Sequence, residues 1–238
     1  IVSTITGTGT VSYKRYVAPT PANDLIAAPL VDNTQTFAQF FTVNSNIRNN
    51  GNSALFAPYS NANTAYESLY SISASTTLEV GKGYKVGRTA SSTPETLTFT
   101  GTLQTGNVDV AVVANNGNPW NLIGNPYTSA INLQDFLTTN AANFDNGNAV
   151  IYGYKGTETD AWEAYNSTSG NVLIAPGQGF FFPAVAGNVS FTTSMRSAAT
   201  VDDFNSVTGR EVQTASWFNL QLTAADKAFS TKLYFDNH

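Results

Sequence analysis

The sequence predicts an all-β fold of two tandem homologous β-sandwich repeats, jelly-roll-like in form, each with one short helix. Short apolar segments of strand length alternate with Asn-, Gly- and Pro-rich turns, a spacing typical of all-β proteins. Many of these segments occur twice, in the same order, within the 238 residues. Charged residues make up 11% of the chain, compared with about 25% in typical soluble proteins. Amides and hydroxyls must therefore cover the surface, which suits a secreted β-rich protein with uncharged partners.

The internal duplication covers most of the chain. The segment LIAAP at 25–29 corresponds to LIGNP at 122–126, and further blocks match in the same order: FAQFF at 37–41 with LQDFL at 133–137, NGN at 50–52 with NGN at 146–148, LEVGKGY at 78–84 with IAPGQGF at 174–180, and LTFT at 97–100 with VSFT at 189–192. Coincidence would not place so many blocks in one order. We therefore expect four regions: an N-terminal strand region at 1–22, a first repeat at 23–112, a second repeat at 113–197, and a C-terminal link and β-hairpin at 198–238 that completes the sheets.

The first elements in chain order are a strand, a proline-rich break and a helix. A strand pattern at 11–17 ends where Pro19 and Pro21 interrupt it. Thr36 followed by Gln39 fits a capping box, in which the hydroxyl and the amide satisfy free N–H groups at a helix start. The phenylalanines that follow have helical spacing and predict a helix near 37–44. Asn132 and Asp135 hold the corresponding positions before a second helix near 133–140.

The remaining elements are strands and turns. Strands are predicted at 55–59 and 150–154, followed by looser segments that contain several aromatic residues. Two Gly-x-Gly turns, at 81–83 and 177–179, precede aromatic strands at 84–88 and 180–184, and the glycines suit a sharp turn with positive φ. Strands near 97–100 and 189–193 close the two units. A strand at 108–113 joins the halves, and strand pairing across this junction would make one rigid unit. The last element is a hairpin of strands 216–223 and 229–235.

Composition excludes several classes of function. The net charge of -5 and the absence of basic runs argue against nucleic-acid and polyanionic partners, since nucleic-acid binding needs a Lys/Arg footprint. The chain has no cysteine, and its only histidine is His238. Thiolate chemistry, Ser-His-Asp chemistry and His-ligated zinc are therefore excluded within this chain. No apolar run approaches the roughly 18 residues of a membrane span, so we expect no membrane insertion.

Several motifs resemble a known type of region. WNLIGNPY at 120–127, IAPGQGFF at 174–181, VSFT at 189–192 and the closing LYFDN at 233–237 resemble a β-rich region common in large surface proteins of Bacteroidetes. In those proteins the region lies upstream of a C-terminal sorting domain for type IX secretion. The resemblance covers residues from about Asn23 onward and implies an extracellular or outer-surface location. Adhesion and polysaccharide binding are common settings for such proteins, and the other domains of the same parent chain are expected partners. The first repeat departs from the pattern, with Ala27 and Ala28 where Gly-Asn is usual.

Exposed aromatic rings next to amides and hydroxyls are the candidate ligand-binding residues. A ring offers a large flat apolar face to a sugar, and neighbouring polar groups fix its orientation. The candidates are Trp162, Tyr154, Tyr165, Trp217, Tyr66 and Tyr70. Packing against a sheet is the alternative for each of them, and Trp120 at the start of a buried strand is expected in the core. Exposed rings coplanar with others would favour ligand binding, whereas buried rings would favour a purely structural role.

Carboxylates and a possible metal site complete the candidates. Glu158, Asp160 and Glu163 cluster near Trp162, and Asp202 and Asp203 are adjacent, but a glycosidase needs two carboxyls placed across a cleft. We interpret these groups as solvated loop carboxylates and expect no catalytic residue and no enzyme activity. Calcium is the only candidate cofactor, because Asp145, Asn146 and Asn148 offer hard oxygen ligands around a glycine. The required EF-hand spacing is absent, and an Asn-Gly turn is the alternative.

These observations predict a non-catalytic cell-surface or secreted module for adhesion or glycan binding, with an uncharged polysaccharide or a cell-surface glycan as the ligand. A structural spacer or presentation domain of a large surface protein is the first alternative. An accessory region of a carbohydrate-active enzyme is the second, and it would depend on the Glu158, Asp160 and Glu163 cluster.

Overall fold

The computed structural model describes residues 11–31, 34–92, 95–115, 117–156, 161–199, 201 and 203–205, and the backbone of 216–224 and 227–235. These residues form an all-β structure of antiparallel sheets with two α-helices. The first half contains β1 (Val11–Tyr16), β2 (Asp24–Ala27), β3 (Leu30–Val31), α1 (Phe37–Val43), β4 (Phe56–Ser60), β5 (Ala65–Tyr66), β6 (Gly83–Val86) and β7 (Thr96–Leu103). The second half contains β8 (Val108–Val112), β9 (Trp120–Gly124), β10 (Ala130–Asn132), α2 (Leu133–Thr139), β11 (Val150–Tyr154), β12 (Trp162–Asn166), β13 (Leu173–Ile174), β14 (Gly179–Pro183), β15 (Gly187–Phe191) and β16 (Arg196–Ser197). A hairpin of β17 (Ser216–Ala224) and β18 (Lys227–Phe235) follows.

The two halves have the same strand order. The four-stranded sheet of the first half runs β2-β6-β4-β5, and that of the second half runs β9-β14-β11-β12. A second sheet in each half pairs corresponding strands, β1 with β7 and β8 with β15. This shared order supports the duplication inferred from the sequence. The strand β8 pairs within the second half, so the sequence-based boundary at 112 separates it from its partner β15.

Each half is a sandwich with its own core, and the two four-stranded sheets then pack on each other. Successive residues of a strand point to opposite faces, so both faces of each four-stranded sheet are buried. In β2, Ile26 lies in the first core while Leu25 lies between the halves. In β14, Phe180 lies in the second core while Phe181 lies between the halves. The result is a stack of four β-layers.

Both predicted helices are present and capped as expected. The Thr36 backbone N–H donates to Gln39 Oε1 at 2.8 Å, and the Gln39 N–H donates to Thr36 Oγ1 at 3.3 Å, which completes the capping box. The Asn132 side chain accepts from the first-turn N–H groups of α2. The apolar faces of both helices cover their cores through buried residues such as Phe40 and Phe136.

One buried asparagine at the C-terminal end of each helix forms hydrogen bonds to both the helix and a strand. Asn44 Nδ2 donates to the carbonyls of Phe40 and Thr98 at 2.9 and 3.0 Å, and its Oδ1 accepts from the Thr98 N–H at 2.7 Å. Asn140 repeats this arrangement in the second half with Phe136 and Ser190. Each amide thus completes the last turn of a helix and bonds to a strand backbone at the same time.

The Gly-x-Gly turns join the halves to each other. Gly81 and Gly177 have φ of +74° and +64°, as the sequence predicted for a sharp turn. The Gly81 carbonyl accepts from the Gly124 N–H at 2.9 Å, and the Gly177 carbonyl accepts from the Ala27 N–H at 2.8 Å. Since Ala27 and Gly124 occupy equivalent positions, the two contacts are reciprocal, as at the interface of a two-fold dimer.

Within the described residues, β17 and β18 pair with each other in a two-stranded sheet. One expectation about the strands requires correction. The segment of Trp162 and Tyr165 is a regular strand, β12, because every residue from 162 to 166 has a pairing partner in β11. Within the residues that the structure describes, no helix is long and apolar enough to cross a membrane.

Candidate functional site

An aromatic cluster fills most of the interface between the two four-stranded sheets, and Phe181 is at its centre. Rings from both halves meet Phe181 edge-on, with centroid distances of 4.9 Å for Tyr59, 5.3 Å for Trp162 and 6.4 Å for Trp120. Edge-to-face packing of this kind stabilises aromatic pairs beyond the area they bury. The cluster therefore acts as a second hydrophobic core that belongs to neither half alone.

A cleft of about 110 Å³ opens at one end of this cluster. Its lining comes from both halves and consists of Asn23, Leu25, Tyr66, Lys85, Tyr154 and Trp162. Three of the ligand-binding candidates chosen from sequence, Trp162, Tyr154 and Tyr66, are thereby brought together. Two of them form a cross-strand pair, because Tyr154 lies opposite Trp162 in the β11–β12 register.

Trp162 is the most accessible ring of the cleft. It is 44% exposed, although a tryptophan usually buries most of its surface. Its ring is tilted by 57° to Tyr154 and by 70° to Phe181, so the rings form an angled wall and not a coplanar platform. Of the two features that would favour ligand binding, exposure is therefore present at Trp162, whereas coplanarity with other rings is not.

The side chains with polar groups that line the cleft are Lys85, Asn23 and the two tyrosines, Tyr66 and Tyr154. Lys85 Nζ lies 4.9 Å from the centroid of the Tyr66 ring, a cation–π distance. Burial of the Tyr66 hydroxyl raises its pKa well above the ordinary value, and the nearby Tyr154 and Tyr59 hydroxyls add to the effect. Tyr66 therefore stays protonated at physiological pH and keeps a hydroxyl that can donate a hydrogen bond.

The equivalent space on the other side of the interface is filled. Lys85 and Phe181 occupy equivalent positions in the two halves. Lys85 lies opposite Leu25 in the β2–β6 pairing, and Phe181 lies opposite the equivalent Leu122 in the β9–β14 pairing. By the same register, Asn23 is equivalent to Trp120. Two large rings of the second half are thus replaced by an amide and a lysine in the first half, and the cleft occupies the volume that the rings would fill.

The other sequence-based candidates lie elsewhere. Tyr165 stacks on Phe204 at 4.5 Å, and its hydroxyl donates to Glu163 Oε2 at 3.2 Å. Desolvation and the Glu163 charge raise the pKa of Tyr165. Tyr70 packs edge-on against Phe37 at 5.1 Å, and burial raises its pKa to about 12. The backbone of Trp217 lies in β17, but its side chain is outside the described residues.

Glu163, the described member of the Glu158, Asp160 and Glu163 cluster, does not line the cleft. Glu163 follows Trp162 on β12 and therefore points to the opposite face of the sheet, 3.7 Å from Lys155 Nζ. Glu158, Asp160 and Asp202 lie outside the described residues. No carboxylate lines the cleft among the residues that the structure describes.

A buried ionic network, which sequence reasoning missed, ties the N-terminal strand to the second half. Arg15 lies 3.6 Å from Asp24 and 3.5 Å from Asp203, and all three side chains are at most 4% exposed. The interpretation of Asp203 as a solvated loop carboxylate was therefore wrong, because its side chain is buried beside a cation. Arg15 also donates to Gln178 Oε1 at 3.3 Å and to the Pro176 carbonyl at 3.1 Å. The network joins residues up to about 190 positions apart in the chain, and no local pattern signals such a contact.

The calcium candidates form a turn. Asp145 and Asn146 lie in a short 3₁₀-helix, with Asn146 in the left-handed region at φ +53°. Asn146 Nδ2 donates to Asp145 Oδ2 at 2.7 Å, and the Asn148 N–H donates to the Asp145 carbonyl at 3.3 Å. These three side chains offer fewer oxygens than the six to eight that calcium takes. No group of three or more acidic, histidine or cysteine side chains that could hold a metal occurs among the described residues.

Comparison with protein families identifies the chain. A family model described as a domain of unknown function, DUF8693, matches residues 2–235, and the chain belongs to this family. No curated protein and no solved structure matches the chain.

Proposed function

We propose that the protein is a non-catalytic module of the bacterial cell surface or of a secreted protein, and that it binds glycans in the cleft between its halves. The observation that carries the proposal is the cleft itself, where Trp162, Tyr154 and Tyr66 expose ring surface beside a lysine and an amide. Rings with a few polar neighbours are the typical lining of a small-molecule site.

The surface chemistry supports the same proposal. Only 11% of the residues are charged, so the protein meets its surroundings mainly through amides and hydroxyls. Such groups exchange hydrogen bonds with sugar hydroxyls without the loss of a strongly held hydration shell. The motif resemblance to Bacteroidetes surface proteins supports a location outside the cell.

The test is a glycan-array screen of the purified protein with and without calcium, followed by titration of each hit while tryptophan fluorescence is monitored. Trp162→Ala is expected to abolish binding, and Trp162→Phe is expected to retain part of it because a ring remains. Leu69→Ala is the matched control, because Leu69 is 43% exposed but does not line the cleft. Binding that survives Trp162→Ala would place the site elsewhere and overturn the proposal for this cleft.

A structural spacer is the second candidate function. The buried network of Arg15, Asp24 and Asp203 fixes β1, the first described strand, to a segment that precedes the C-terminal hairpin. Reciprocal turns at Gly81 and Gly177 fix the two halves to each other. A rigid unit of this kind would hold neighbouring domains at a set distance. A glycan array without hits in both conditions would favour this role.

A further inference from the structure

The open cleft and its filled counterpart differ in charge as well as in volume. Lys85 stands where the second half has Phe181, and Asn23 stands where it has Trp120. Either half could bury apolar rings at these positions, as the second half does. The first half instead places a cation, Lys85, beside the aromatic rings of the cleft.

Lys85 has no acidic partner in the described part of the chain. The ion pairs there involve Arg15, Lys82, Arg88 and Lys155, and none of them involves Lys85. Its ammonium contacts the Tyr66 ring, which leaves its hydrogen-bond donors available to a ligand. The side chains around it are mostly aromatic or aliphatic, so an ion pair formed here is stronger than one at an open surface.

The small volume of the cleft restricts how much of a ligand it can enclose. A volume of about 110 Å³ is roughly a third of the lower bound of about 300 Å³ for sites that enclose drug-sized molecules. The net charge of -5 opposes the approach of a long polyanion but not of a single carboxylate on a neutral chain. A chain end or a side branch therefore fits better than the interior of a charged polymer.

We infer that the cleft binds one terminal uronic acid residue of an otherwise neutral glycan. The apolar face of the sugar ring lies against Trp162 and Tyr66, and the sugar carboxylate pairs with the Lys85 ammonium. This inference rests on the proposed function and names the class of sugar that the same site prefers. An ammonium and a carboxylate form a charge-assisted contact, which is stronger than the contact of the same ammonium with a neutral hydroxyl.

The experiment compares matched pairs of sugars by isothermal titration calorimetry with the full chain. The methyl glycosides of glucuronic, galacturonic and mannuronic acid are each titrated beside the corresponding neutral hexose, which differs only in the carboxylate. At least one acid is expected to bind about tenfold more tightly than its neutral partner. The preference is expected to fall as salt rises, because salt screens the partly exposed pair.

Variants assign the preference to Lys85. Lys85→Gln is expected to remove the preference, so that the acid and the neutral sugar bind with equal affinity, while Lys85→Arg keeps the preference. Lys85→Phe copies the residue of the filled counterpart and is expected to abolish binding of both sugars. Lys14→Gln is the matched control, since Lys14 is exposed on β1 and does not line the cleft. Thermal unfolding of each variant verifies that it is folded.

The outcomes separate the two proposals. Equal binding of acid and neutral sugars, lost on Trp162→Ala, would overturn the uronate inference and leave the glycan-binding function in place. A preference that survives Lys85→Gln would also overturn the inference. No binding of any of these sugars, together with an array without hits, would overturn both.

Discussion

The two halves of the molecule share a strand order and a pair of helix-anchoring asparagines, yet they treat their common interface differently. On one side, Trp120 and Phe181 fill the space between the four-stranded sheets with rings. On the other side, Asn23 and Lys85 occupy the equivalent positions and a cleft remains. The comparison teaches that two halves with the same strand order can each keep a closed core while the residues at their interface differ in volume and charge.

The same contrast occurs beneath the glycine turns. In the first turn Gly81 lies against Val110, a buried apolar side chain. In the second turn Gly177 lies against Arg15, which occupies the position equivalent to Val110 in the strand pairing. Arg15 forms ion pairs with two buried aspartates. The two equivalent glycine turns therefore pack on different side chains, one on an apolar residue and the other on an ionic network. Substitutions can measure how much each arrangement contributes to stability.

The largest effect is expected at the ionic network. Arg15→Val copies the apolar solution of the other half but leaves Asp24 and Asp203 buried without their cation, so we expect a loss of about 3–5 kcal/mol in the free energy of unfolding. Urea denaturation at neutral pH measures it. The triple variant Arg15→Val, Asp24→Asn, Asp203→Asn is the control and should recover most of the loss. A single variant as stable as the wild type would show that the network contributes nothing.

Next in size are the two buried asparagines. Asn44→Ala and Asn140→Ala each remove three hydrogen bonds and leave the N–H and the carbonyl of one strand residue, Thr98 or Ser190, without the side-chain partner. A cost of about 3 kcal/mol is expected for each, at the upper end of the range for buried unsatisfied groups. Denaturation curves of the two variants should agree within about 1 kcal/mol. A larger difference in the loss of unfolding free energy would mean that Asn44 and Asn140 do not contribute equally to the two halves.

A smaller effect is expected where the halves touch most closely. A Cβ added to Gly124 would lie 2.7 Å from the Ala27 Cβ and 2.5 Å from the Gln178 carbonyl oxygen. Gly124→Ala should therefore destabilise the fold by about 1–3 kcal/mol through overpacking. The reciprocal change Ala27→Gly should cost only about 0.5–1 kcal/mol, because it removes a methyl group and adds backbone freedom. Thermal unfolding of both variants makes the comparison, and equal effects would contradict the crowding at Gly124.

The smallest effect is expected from calcium. The turn at Asp145 carries an acid that the equivalent turn of the first half, Asn50 to Asn52, lacks. If both are simple Asn-Gly turns, millimolar calcium or a chelator should shift the melting temperature by less than about 1 °C. A calcium-dependent rise that disappears in Asp145→Asn would instead establish a metal site in the second half alone.

Much of the site could be predicted from local patterns, and part of it could not. Trp162, Tyr154 and Tyr66 were selected from the sequence as aromatic residues beside polar ones, and they line one cleft. Tyr165 and Tyr70 have the same local signature but pack against Phe204 and Phe37, because a ring beside an amide occurs in cores as well as in sites. Lys85 was not selected, although alignment of the two halves places this lysine opposite Phe181 and would have marked it.

The sequence by itself determined the all-β class, the two capped helices, the positive φ at the glycine turns and most of the strand positions. Alternation, caps and turn residues act over a few neighbouring positions, so they can be read from the chain directly. Only the tertiary structure decided that Arg15 contacts Asp203, that each glycine turn accepts a hydrogen bond from the other half, and that a cleft opens beside Lys85. These features depend on side-chain volume and charge summed across two packed sheets, and residues far apart in the chain meet there only after both halves have folded.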